Sequence, residues 1–116
     1  MTNDALGSLD RLIDAGITDT FNRLGAEHGL PPLAWRLVEI VDPLIEGTHP
    51  EGRAALGAPE LCAQWAAFLN LREYDSSGQA EGYVTWSGTT PAGVSIDVHA
   101  ITDVERYRAA NPDDIV

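Results

Sequence analysis

Apolar residues in the first quarter of the chain recur in steps of three and four. Leu6, Leu9, Leu12, Ile13, Ile17, Phe21 and Leu24 form one stripe, which predicts a helical region from about Asp4 to His28. Gly16 interrupts the stripe, so one bent helix and two short ones both fit the pattern. Gly29 and the Pro31-Pro32 pair close the region, because proline cannot continue a helix. The pattern then changes. Leu33 to Val41 holds Trp35, Val38, Ile40 and Val41, and Asp42-Pro43 is a turn signal before Leu44–Thr48. These residues read as a hairpin, with a helix over Leu33–Val41 as the other reading.

His49-Pro50-Glu51-Gly52 has loop chemistry, and Pro59 suits the first turn of a second helix whose stripe is Leu61, Trp65, Phe68 and Leu69. Asp75 to Gln79 is the most loop-like stretch and the best candidate for disorder. A second hairpin is the clearest element: Tyr83–Ser87 and Val94–Ile101 flank a Gly/Thr/Pro turn. Val94, Ile96, Val98 and Ala100 share one face of the last strand, and Ser95, Asp97 and His99 share the other. Thr102-Asp103-Val104-Glu105 has the form of a capping box for a short C-terminal helix through Ala109. Asn111-Pro112 ends that helix, and residues 111–116 are expected to fray.

The order predicts one α+β domain over residues 1–116: a four-stranded antiparallel sheet from two hairpins, with the helices on one face. The expected core is Leu9, Ile13, Leu24, Trp65, Leu69, Val84, Val94, Ile96 and Val98. This order, with Leu30-Pro31-Pro32 before an aromatic-bearing strand, resembles small αββαββ domains of actinobacteria and their phages. That resemblance implies the fold order and no catalytic residue or ligand.

The net charge of −11 changes the list of partners. Eighteen acidic residues face seven basic ones, all arginine. Such a field speaks against direct nucleic-acid binding and against an anionic membrane, and it favours a basic partner. No apolar run is long enough to span a bilayer, and the N-terminus lacks the features of a signal peptide, so the expected location is cytoplasmic. Cys62 is the only cysteine and sits in an apolar helical pattern, where it reads as a small buried hydrophobe.

Motifs for chemistry are missing. There is no G-x-x-x-x-G-K, no G-x-G-x-x-G and no G-x-S-x-G, and no cofactor is expected. His28 falls at a helix end, where it complements exposed carbonyls. Asp97 and His99, two apart on a strand, share a face, yet a metal needs three or four ligands and no metal site is expected. The expected function is non-catalytic: an accessory protein that binds another protein, or a second copy of itself, through a sheet face carrying Tyr83, Trp86, Asp97 and His99. A small enzyme or ligand-binding domain centred on Asp97 and His99 is the second expectation. An acidic mimic of nucleic acid that blocks a DNA-binding protein is the third.

Overall fold

The computed structural model describes residues 4–74 and 80–114. Helix α1 (Asp4–Ala26) is followed by strands β1 (Ala34–Glu39) and β2 (Leu44–Thr48), then helix α2 (Ala58–Phe68). The two-residue strand β3 (Arg72–Glu73) precedes β4 (Tyr83–Thr89), β5 (Ser95–Ile101) and helix α3 (Val104–Ala110). The α+β class and both predicted hairpins are present. The stretch from Asp75 to Gln79, and the last two residues of the expected frayed tail, lie outside the described residues.

The sheet differs from the expectation in two ways. It has five strands in the order β1-β2-β5-β4-β3, since β3 adds an edge to the second hairpin. It is also mixed. The two hairpins meet through β2 and β5, which run parallel, with Leu44 opposite Ser95 and Gly47 opposite Val98. A parallel junction requires a long crossover between the paired strands, and here α2 and β3–β4 supply it.

Trp65 anchors the core. Its ring is fully buried, its indole N–H donates to the Pro31 carbonyl (2.8 Å), and Trp35 packs edge-on against it at 5.3 Å between ring centres. Leu33, Cys62, Ile96, Val98 and Ala100 complete the buried cluster, with Val84 also buried and Leu69 and Val94 partly so. Glycines make room for the two tryptophans: a Cβ on Gly25 would collide with the Trp65 ring, and one on Gly47 with the Trp35 ring.

Leu9, Ile13 and Leu24 do not belong to this core. They are 51%, 45% and 47% exposed, because α1 is one unbroken helix that docks through its polar side. Asn22 Oδ1 accepts from Leu33 N (3.0 Å) and its Nδ2 donates to Leu33 O (2.8 Å). Thr18 Oγ1 bonds both N (3.1 Å) and O (2.9 Å) of Trp35, and Asp14 Oδ1 accepts from Leu37 N (2.9 Å). Every fourth helix residue thus meets every second strand residue. The match is geometric, since four helical residues rise ~6 Å and two strand residues ~6.8 Å. These side chains stand in for a sixth strand and close the edge of β1, which would otherwise offer open N–H and C=O groups.

Helix α3 is capped one residue later than predicted: Asp103, not Thr102, accepts from Arg106 N (3.1 Å). The acidic tail is held as far as Asp114, which Arg53 Nη2 reaches at 3.0 Å. The Tyr107 hydroxyl donates to the same carboxylate, and Arg53 Nη1 also donates to the Tyr107 oxygen (2.9 Å).

Candidate functional site

Strand register decides which polar groups share a face. Arg36, Glu46, Asp97, Ser87 and Arg72 sit opposite one another, one per strand, from edge to edge of the sheet. The next positions along the strands put Trp35, Gly47, Val98, Trp86 and Glu73 in a row on the other face, which packs against α2 and the core. The first row lies on the face opposite α2. It places two acids at the centre between arginines at both edges.

The four residues singled out from the sequence therefore separate. Asp97 and His99 share the polar face, and Tyr83 lies on it too, opposite Ile101. Tyr83 is nevertheless engaged by α3, its ring edge-on to Tyr107 at 6.1 Å. Trp86 is on the other face, opposite Val98 and packed against the core cluster. It is no part of a common surface with Asp97 and His99.

The carboxylate beside His99 is Glu46, not Asp97. His99 Nε2 lies 3.3 Å from Glu46 Oε1, and Arg36 Nη2 approaches the same oxygen at 3.4 Å from the edge strand. His99 Nε2 is closed to solvent, and its approach to Glu46 falls outside the geometry of an aligned hydrogen bond. Contact with His99, helped by Arg36, holds the Glu46 carboxyl below the usual carboxylate range, although burial pushes the other way. The pair Glu46–His99 escaped the sequence because the parallel contact of β2 with β5 creates it. His49, the histidine nearest Glu46 in sequence, instead accepts from the Glu51 backbone N–H (3.0 Å). His28 lies at the end of α1 as expected, its Nδ1 3.2 Å from Leu24 O and its ring 4.6 Å from that of Phe68.

Beside this pair, a shallow groove of about 560 Å³ runs across the polar face, with Glu39, Asp42, Asp97, Ser87, Ser95 and Tyr74 in its lining. Glu39 is fixed at its rim, its Oε1 accepting from Ile40 N (3.1 Å) and Val41 N (3.3 Å). Asp42 and Asp97 make no ion pair among the described residues. Neither His99 nor Tyr83 lines the groove, so no acid–base pair converges on an enclosed volume there. Among the described residues no group of three His, Cys, Asp or Glu side chains is placed to hold a metal ion, and no helix is long and apolar enough to cross a membrane.

Cys62 offers no nucleophile. It is fully buried, its Sγ directed at the His99 carbonyl (3.6 Å), and burial pushes its thiol up to about 11. What the polar face presents chemically is a set of hydrogen-bond acceptors: three carboxylates and two serine hydroxyls along one open groove. Comparison with protein families, with curated proteins and with solved structures finds no match to this chain.

Proposed function

We propose that this domain is a non-catalytic accessory protein that binds a basic segment of another protein across the open face of its sheet. The observation that carries this is the groove in which Glu39, Asp42 and Asp97 converge, two of them without a cationic partner among the described residues. Carboxylates on a solvated surface and hydroxyls beside them suit guanidinium or ammonium groups, which supply several donors at once. The overall charge of −11 draws such a partner in from a distance, an effect that salt weakens.

A second copy of this chain is the weaker occupant of the same face. Face to face, two copies would set Glu39, Asp42, Glu46 and Asp97 against themselves, with only Arg36 and Arg72 to answer them, and like charges opposed in this way repel.

The test is a titration of the labelled domain with an arginine-rich octapeptide, followed by backbone amide NMR shifts. Shifts are expected in residues 39–44, 87–89 and 95–97, with binding at least ~10-fold weaker in an Asp42→Asn/Asp97→Asn variant, the loss of about 1.4 kcal/mol or more. Shifts spread over every acidic surface, or equal binding by the variant, would refute the assignment. So would turnover of a small substrate that His99→Ala abolishes.

A further inference from the structure

A cleft of another kind lies on the α2 side of the sheet, where the second half of α1, the end of α2 and the β4–β5 hairpin meet. Its volume is about 620 Å³, and Phe21, Leu24, Trp65, Leu69, Leu71 and Ile96 supply its apolar lining. Side-chain parity along β4 explains why space remains there. The strand turns Trp86 and then Gly88 toward α2, and Gly88, opposite Ile96, has no side chain to fill its place. A Cβ on Gly88 would stand 2.7 Å from Leu71 Cδ2 and press on the lining. Beyond α2 the chain turns at Asn70, whose φ of 56° is a conformation that glycine usually holds at a helix end. Asparagine tolerates it and adds a side-chain amide to the cleft.

We propose that this cleft binds a small uncharged molecule with an aromatic or branched apolar body and one polar group. Its volume falls within the ~300–1,000 Å³ of small-molecule sites. The chain carries eighteen acidic and seven basic residues, yet none of them lines the cleft, so a charged ligand would find no counter-ion there. The polar side chains of Thr20 and Asn70 do line it, and neither has a hydrogen-bond partner among the described residues. Between them they offer donors and acceptors to a hydroxyl or carbonyl of the ligand. Two sides of the cleft are fixed by hydrogen bonds within the chain. Leu71 N donates to Ala66 O (2.8 Å) and Asn70 N to Ala67 O (3.2 Å) in the turn after α2. In the hairpin Thr90 N donates to Val94 O (2.8 Å), and Thr90 Oγ1 accepts from Val94 N (3.1 Å). Such preorganisation lowers the ordering cost of binding. Walls from three elements surround a compact molecule on several sides, which the flat face of another protein could not fill.

The cleft shares only Gly88 and Thr89 with the acidic groove, so the two sites can fail independently. The probe is 2-naphthol, uncharged at neutral pH, titrated into the labelled domain and followed by backbone amide NMR shifts. Saturable shifts are expected in residues 20–24, 69–71 and 88–91, whereas the arginine-rich octapeptide should leave residues 20–24 and 69–71 unmoved. 2-Naphthalenesulfonate carries the same rings with a fixed charge and should bind at least ~10-fold more weakly. Leu24→Glu, at a lining position 47% exposed, should weaken 2-naphthol by a similar factor while the amide spectrum of β1 and β2 stays unchanged. Leu12→Glu, at an exposed position of the same helix outside the cleft, should leave binding as it is. Equal binding of the two naphthalenes, equal losses in the two variants, or no saturation by 2-naphthol would each overturn the proposal. So would shifts at these residues from a leucine-rich octapeptide and none from 2-naphthol, since the cleft would then take a side chain of another protein.

Discussion

Replacing Asn22 by alanine removes three hydrogen bonds at once and tests whether α1 is held by its polar side. Asn22 Oδ1 accepts from Leu33 N and from the indole Nε1 of Trp35 (3.2 Å), and its Nδ2 donates to Leu33 O. A net ~1 kcal/mol for each bond gives about 3 kcal/mol, and the strand groups left behind are only partly accessible to water. Alanine is the better helix former, which returns ~0.5 kcal/mol. The expected loss is therefore about 2–3 kcal/mol, or a fall in Tm on the order of 10 °C for a chain of this size. Asn22→Asp keeps the acceptor but sets a carboxylate oxygen against the Leu33 carbonyl where the amide donated, so it should lose at least as much, about 2–4 kcal/mol. Urea unfolding followed by tryptophan fluorescence measures both. Exchange at the Leu33 amide and at the Trp35 indole N–H should accelerate in the alanine variant ahead of the β1 amides. A loss below ~1 kcal/mol for Asn22→Ala would show that apolar contacts alone hold α1.

Gly47→Ala should destabilise the fold by ~1–3 kcal/mol in the same assay although alanine has the lower backbone entropy, because its Cβ collides with the Trp35 ring; a neutral result would mean that the ring has room to move. Glu46 has a folded pKa below its ordinary 4.5, so its stabilisation is present above that value and is lost as pH falls through the folded one. His99→Gln removes the main cause of the depression, and the fall in urea midpoint between pH 6 and pH 3.5 should shrink; an equal fall in both proteins would exclude the pair as the source. Cys62, with its thiol near 11, holds about one thiolate in a thousand at pH 8 and is shut away from reagents, so Ellman's reagent should react only as fast as the protein opens. Rapid labelling of the native protein would place Cys62 at the surface.

The sequence shows local order well and orientation poorly. The alternation in Val94–Ile101 sorts the two faces of β5 correctly, because side-chain parity along a strand needs no knowledge of the rest of the chain. Pro59 and Gly29 mark helix ends for reasons equally local. The leucine stripe of α1 establishes a helix but misleads about its packing, since periodicity reports which residues share a face and not which face docks. A second signal was present: Asp14, Thr18 and Asn22 also recur every four residues, and all three are types that bond backbone groups. Trp86 does not share the His99 surface that the sequence suggests, because parity along β4 separates it from Tyr83, and register alone shows that Tyr83 is the one on the His99 face. Glu46–His99 lay beyond local reasoning altogether, for the two residues meet only through the junction of β2 and β5.

That junction also sets the order in which the chain can assemble. Each hairpin closes over a short loop, but Leu44 pairs with Ser95 across 51 positions, so the sheet is joined late and against a larger loop entropy. During synthesis, α1, β1, β2 and α2 leave the ribosome with the inner edge of β2 unpaired until β5 emerges. In that interval the strand is open to pairing with another nascent chain. Folding of the full chain is therefore expected to be governed by one long-range closure.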